Sequence, residues 1–172
     1  MEEKELSQKK INLGAGNLKK SGYTNVDINS NFKPDVVADV RKLPFDDNYA
    51  DEILARDVLE HIPHKETKKT LLEWKRILKK GGKLIIQTPN LQTIANYMLD
   101  IDKIDDIDYI NDLIRRIFGG QDFKENFHCA GFTPETIREL LKSIRFKDIK
   151  VNPVKDLESK DYLFNLVAIC IK

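Results

Sequence analysis

The stretch Ile11-Asn12-Leu13-Gly14-Ala15-Gly16-Asn17, answered by Val26-Asp27-Ile28-Asn29, constrains this chain more than any other. The first half reads as a buried strand entering a glycine turn, where the missing Cβ lets backbone approach a ligand. The second reads as a neighbouring strand that ends in an acid. Such an acid can accept hydrogen bonds from both hydroxyls of a ribose. Either signal alone fits an ordinary turn. Together they point to a nucleoside-type cofactor lying across the carboxyl ends of adjacent parallel strands.

The rest of the chain alternates strand and helix signals. After residues 1–9, read as a frayed or short helical lead-in, strands are predicted at Lys10–Leu13, Thr24–Ile28, Asp35–Asp39, Ala50–Arg56 and Lys83–Thr88. The continuous apolar middle of the third reads as buried on both faces. Pro63 opens a helix predicted to run to about Lys80, with Leu71, Trp74, Ile77 and Leu78 on one face. Lys79 and Lys80 suit its negative end, and Gly81-Gly82 reads as its stop. A second helical region is predicted over Leu91–Phe118, with a stripe of Ile107, Ile110, Ile114 and Ile117. The acids at 100, 102, 105, 106 and 108 read as its solvated face. Gln121–Phe132 reads as an irregular loop. Thr133-Pro134 then caps a helix to Ile144 that buries Ile137, Leu140, Leu141 and Ile144. Phe146–Val151 and Tyr162–Ile171, with no helix between them, are predicted to pair antiparallel.

This order specifies one α/β domain over residues 1–172: a mostly parallel sheet of about seven strands, a C-terminal antiparallel hairpin, and helices on both faces. Ligands bind such sheets at the carboxyl ends of the strands, where Leu13-Gly14, Asp27, Asp39 and Arg56-Asp57 converge. Lys and Arg number 29 against 28 Asp and Glu, so charge makes no case for nucleic acid or a membrane surface. The opening Met1-Glu2-Glu3-Lys4-Glu5 is too polar for a signal peptide, and no apolar run approaches a membrane span. Cys129 and Cys170 lack metal-ligand spacing. The expectation is a cytoplasmic protein with reduced thiols.

These segments resemble a class I S-adenosylmethionine-dependent methyltransferase, and the likeness covers nearly the whole chain. Gly14–Gly16 resembles the family's first motif and Val26-Asp27-Ile28 its acidic second strand. Asp39-Val40-Arg41-Lys42-Leu43-Pro44-Phe45 resembles its D-x-x-x-L-P-F segment, and Leu59-Glu60-His61 its L-E-H segment. Arg76–Leu84 resembles its R-x-L-K-P-G-G segment, and Gly131-Phe132-Thr133 its C-terminal portion. The resemblance implies a Rossmann-like sheet that binds S-adenosylmethionine and releases S-adenosylhomocysteine. It implies methyl transfer to O, N or C of a small-molecule acceptor such as a sugar or other metabolite. By resemblance, Asn12, Gly14, Ala15 and Gly16 pass beside the methionine part of the cofactor. Asp27 holds the ribose, and Ile28 and Asn29 flank the adenine. Asp39 and the Val40 amide read the adenine edge, and Arg56, Asp57 and His61 line the methionine end. A nicotinamide-dependent oxidoreductase is the disfavoured alternative, because Lys19 stands where the last glycine of its fingerprint belongs.

One departure marks a compact subgroup of the family. Gly14 and Asp27 are thirteen positions apart, against roughly twenty in dinucleotide folds. At most one helical turn, around Leu18–Lys20, fits between the first two strands. The exposed flank this leaves is expected to be covered by a partner subunit, as in a homodimer, or by the N-terminal segment. The alternative function consistent with the clipped helix is a cofactor-binding regulatory or partner subunit without catalysis.

The candidate catalytic residues are His61, Asp57 and His128, with Glu60 as a further candidate base. His64 follows His61 by three, but Pro63 intervenes and no third ligand is visible, so no metal is expected. Residues 91–132 form a helical insertion. Its loop after Gly119-Gly120, which carries Gln121, Asn126 and His128, is the candidate substrate lid.

Overall fold

The computed structural model describes residues 8–100, 102, 105–154 and 164–172. The lead-in at residues 1–7 and the first two residues of the expected last strand lie outside the described residues. Seven strands form one sheet in the order β3-β2-β1-β4-β5-β7-β6. They are β1 (Lys10–Leu13), β2 (Thr24–Asp27), β3 (Val36–Val37), β4 (Ala50–Arg56), β5 (Leu78–Pro89), β6 (Lys147–Val154) and β7 (Asn165–Ile171). The first five pair parallel, and β7 runs antiparallel between β5 and β6.

Helices α1 (His64–Ile77) and α4 (Pro134–Ser143) share one apolar core with the sheet. The pairing explains why. Val26, Leu13, Ala55, Ile86, Ala168 and Val151 sit side by side across the strands, and Ile11, Ile53, Leu84 and Cys170 form a parallel row. Leu71 and Trp74 of α1, with Ile137 and Leu141 of α4, are fully buried in the same cluster. Burial also pushes the Cys170 thiol up to about 12. Helices α2 (Leu91–Met98) and α3 (Ile107–Phe118) close a separate small cluster around Ile94, Leu113 and Phe164.

Several local expectations are corrected. β3 is a two-residue edge strand with Val37 58% exposed, because only β2 flanks it. The first long helix ends at Ile77 rather than Lys80, where Leu78 turns extended (ψ 137°) and pairs with Ala50. Lys79 therefore binds Asp51 across the strands at 2.7 Å instead of capping a helix, and Gly81 (φ +80°) lies within β5. The second helical region is two helices, since Leu99 caps the first and the Asp106 side chain starts the second by accepting from the Tyr109 N–H. In α3 the buried residue is Leu113, while Ile107 and Ile114 of the expected stripe are exposed. The turn after β1 forms at Ala15–Leu18, with the Leu18 N–H donating to the Ala15 carbonyl at 2.7 Å, and 18–20 is not helical. Thr133 caps α4 as expected, in a reciprocal box with Thr136.

Candidate active site

The carboxyl ends of β1, β2 and β4 open on a cleft of about 630 Å³, within the range of about 300–1,000 Å³ usual for ligand pockets. Two glycines shape its floor. Gly14 (φ +58°) approaches so closely that a Cβ there would stand 2.5 Å from Val58 Cγ2. Gly16 (φ +47°) has nothing within 4 Å of such a Cβ, so its free side belongs to the cleft. Asp27, at the tip of β2, is held in place by backbone. Its Oδ2 accepts from the Gly16 N–H and its Oδ1 from the Asn29 N–H, both at 2.8 Å. Each oxygen has a second lone pair for a ligand hydroxyl.

Of the residues anticipated for the cofactor, Gly14, Gly16, Asp27, Ile28 and Asn29 line this cleft. Asp39, Val40, Asp57 and His61 line it as well. Asn12, Ala15 and Arg56 do not. Asn12 is buried and donates to Asn25 Oδ1 (3.0 Å) and the Leu18 carbonyl, so it ties β1 to β2. Ala15 is buried, with its N–H on the Val26 carbonyl. Asp39 is bound by Arg41 at Nε, Nη2 and backbone, and these bonds lower its carboxyl below the usual range. Arg41 also reaches Glu66 at 2.8 Å. The Val40 carbonyl accepts from Trp74 Nε1 at 2.9 Å, which anchors this wall to the core.

Sequence reasoning misses Arg41, Phe32 and Val58, which line the cleft; Phe123–Glu125, which also line it, fall within the loop anticipated as a lid. The Arg41–Asp39 pair at i, i+2 is the one available signal. The lid candidates divide: Asn126 lines the cleft, while Gln121 and His128 do not.

Beyond β4 the chain makes a 3₁₀ turn at Leu59–His61. Asp57 precedes it at φ +52° and accepts from Gln87 Nε2 at 3.2 Å. The loop 121–132 docks on this turn, with the Cys129 and Ala130 N–H groups both donating to the Glu60 carbonyl (2.7 and 3.0 Å). That docking sets the His128 ring against His61, with centroids 4.8 Å apart. Burial lowers both imidazoles below their ordinary value. Glu60 is buried, and burial followed by the Asp57 charge drives its carboxyl well above the ordinary range. His64 stands exposed at the start of α1.

Residues 5–86 match the family described as methyltransferase domain. Over those residues the chain matches a methyltransferase domain, and its fold is that of class I S-adenosylmethionine-dependent methyltransferases. Solved structures agree on the fold. A methyltransferase from Methanosarcina mazei is 22% identical with a TM-score of 0.69, and the match covers 96% of this chain and 92% of that one. One from Archaeoglobus fulgidus is 17% identical with a TM-score of 0.64, covering 96% and 86%. No curated protein matches in sequence. The cofactor of this methyltransferase is S-adenosylmethionine, and the residues present fit it: a glycine floor with open space at Gly16, and a strand-end carboxylate with spare lone pairs. No helix among the described residues is long and apolar enough to cross a membrane.

Proposed function

We propose that this methyltransferase acts on a small-molecule acceptor, with Asp57, His61 and His128 on the acceptor side. The observation that supports this is the shared cleft. The segment Phe123–Asn126 borders the same space as Gly16, Asp27, Asp57 and His61, which leaves a bounded volume rather than an open surface for the acceptor. When bound, S-adenosylmethionine supplies a methyl carbon already activated by its sulfonium. The chain's task is therefore alignment, with the acceptor held in reach of that carbon. Gly14, Gly16, Asp27, Ile28 and Asn29 hold the nucleoside, and Arg41 fixes the Asp39 carboxylate beside it. An acceptor hydroxyl or amine loses its proton to the Asp57–His61 side, where burial keeps His61 neutral and able to accept.

The test is calorimetric titration with S-adenosylmethionine and S-adenosylhomocysteine, followed by transfer of labelled methyl to a panel of sugars, amines and hydroxy acids. Asp27→Asn should weaken binding of both ligands at least tenfold with little change in melting temperature. Methylation of proteins or nucleic acids with no small molecule labelled would overturn the acceptor class.

A further inference from the structure

We propose that Glu60, His61 and His128 bind one divalent transition-metal ion, of the kind zinc represents, at the acceptor side of the cleft. One ligand atom from each residue lies within 4.8 Å of the other two. Their surroundings match those of metal ligands. His61 Nδ1 lies 3.1 Å from the Phe127 carbonyl, and His128 Nδ1 lies 3.0 Å from the Arg116 carbonyl. A carbonyl only accepts, so in the tautomer with Nδ1 protonated it is Nε2 that offers a lone pair to an ion, with the Asp57 and Ile117 carbonyls also lying against the two rings. Metal-binding histidines are held and polarised by such outer contacts. Glu60 Oε2 accepts from Thr88 Oγ1 at 3.0 Å, the equivalent contact for the carboxylate.

The second, independent observation is Glu60 Oε1. Glu60 is 1% exposed, and this oxygen has no hydrogen-bond partner. Buried polar atoms are nearly always satisfied, so an orphaned carboxylate oxygen beside two imidazoles calls for a cation, proton or water between them. Two nitrogens and one oxygen suit zinc and its neighbours better than magnesium or calcium, which prefer oxygen alone. Three protein ligands leave a fourth position, and of the three His61 lines the cleft, as Asp57 does. Metal bonds of about 2.0–2.2 Å place ligand atoms about 3–3.5 Å apart, so the trio must draw together as the ion binds. The loop that brings His128 is already tied to Glu60 by two backbone bonds, so the movement falls to side chains.

The inference deepens the acceptor-side reading. With an ion present, the imidazoles hold metal, the open position takes an acceptor oxygen or nitrogen, and Asp57 is left to receive the proton. The experiment needs no turnover. Full-length protein is stripped with a chelator, then titrated with Zn²⁺ against a chromophoric competitor and with Co²⁺ by visible absorption. One equivalent should bind, with the intense visible bands of low-coordinate cobalt. Glu60→Gln and His128→Ala should each weaken binding at least tenfold, while His64→Ala should not. Absence of stoichiometric binding, or binding that survives both Glu60→Gln and His128→Ala, would overturn the proposal and leave a protonated Glu60 or a bridging water. Far-UV circular dichroism checks the fold of each variant. Donor affinity of the stripped protein, measured separately, shows whether the cofactor reading stands when the metal reading fails.

Discussion

Gly14→Ala should destabilise the protein more than Gly16→Ala, for a reason that a third substitution can isolate. Both glycines have positive φ, +58° and +47°, so an alanine at either pays about 1–2 kcal/mol for the left-handed backbone. Only Gly14 has a neighbour. Its added Cβ would stand 2.5 Å from Val58 Cγ2, more than an ångström inside the ~3.5–4.0 Å of normal carbon contact. Val58 is 6% exposed and packed in the core cluster, so it cannot swing into solvent. Overpacking of this kind costs about 1–3 kcal/mol, which gives Gly14→Ala a total of about 2–5 kcal/mol. Shortening the neighbour, Val58→Ala, costs about 1–3 kcal/mol alone through lost burial and a small cavity. In the double variant the overlap disappears and the new methyl occupies the vacated space. The two should therefore be non-additive by about 1–3 kcal/mol in the favourable direction. Urea denaturation of the four proteins, with constant m-values, measures this. Equal losses for Gly14→Ala and Gly16→Ala, or strict additivity with Val58→Ala, would refute the close approach. Gly16→Ala should instead show its effect as weaker binding of S-adenosylhomocysteine, because its methyl projects into the cleft.

Trp74→Phe should cost about 2–4 kcal/mol in urea denaturation, since it opens a cavity under a fully buried ring and leaves the Val40 carbonyl without its 2.9 Å donor. Thr133→Ala should cost about 1 kcal/mol in thermal melts by removing the α4 cap, with cofactor affinity unchanged. Burial, then the Glu52 carboxylate, raises the Tyr23 hydroxyl to about 12. The native state thus holds this proton more tightly than the unfolded chain, whose tyrosine titrates near ~10. The stabilisation is whole below pH ~10 and is lost as pH rises toward ~12, amounting to about 1–2 kcal/mol after allowance for partial exposure. Tyr23→Phe should remove that part of the alkaline loss, as read from denaturation midpoints between pH 9 and 12.

Most strands were legible because each is a short apolar run bounded by turn residues, and β1 and β4 match their expected limits. The failures share a cause: the deciding partner lies far away in sequence. Leu78-Lys79-Lys80 continues the helical periodicity of α1, and only its pairing with Ala50 and Asp51 draws it into the sheet. Asp35–Asp39 has the composition of a central strand, but its position at the edge leaves it two residues long. In the site, Gly16 and Asp27 announce themselves because glycine turns and strand-end acids are local signals, whereas His61 is reached through the resemblance of Leu59-Glu60-His61 to a family segment. The loop that carries Phe123–Glu125 is anticipated over the cleft, but the meeting of His61 with His128 depends on how that 12-residue loop docks on the turn after β4, which no local pattern encodes.

The missing crossover helix has a counterpart in the sheet itself. Opposite the apolar core, the paired rows carry Asn25 beside Asn12, and Lys10 beside Glu52 beside Lys83. These groups satisfy one another. Asn25 Oδ1 accepts from Asn12, Lys83 reaches Glu52 at 2.6 Å, and Tyr23 donates to the same carboxylate. A helix laid on that surface would have to desolvate charges without replacing their water, at a cost that an apolar face does not incur. The short connection from Gly14 to Thr24 and the polar face beneath it are thus two expressions of one design. Polarity recedes only toward β5 and β7, where Leu54, Ile85 and Ile169 stand in one row and Ile169 is 36% exposed. Asn12→Leu would test this coupling. It trades two hydrogen bonds for apolar surface and leaves Asn25 partly unpaired, so it should destabilise by about 1–3 kcal/mol even though the residue is 2% exposed. A stabilised variant would mean that the face tolerates a helix-like covering, and that the short crossover owes nothing to the polarity of the strands beneath it.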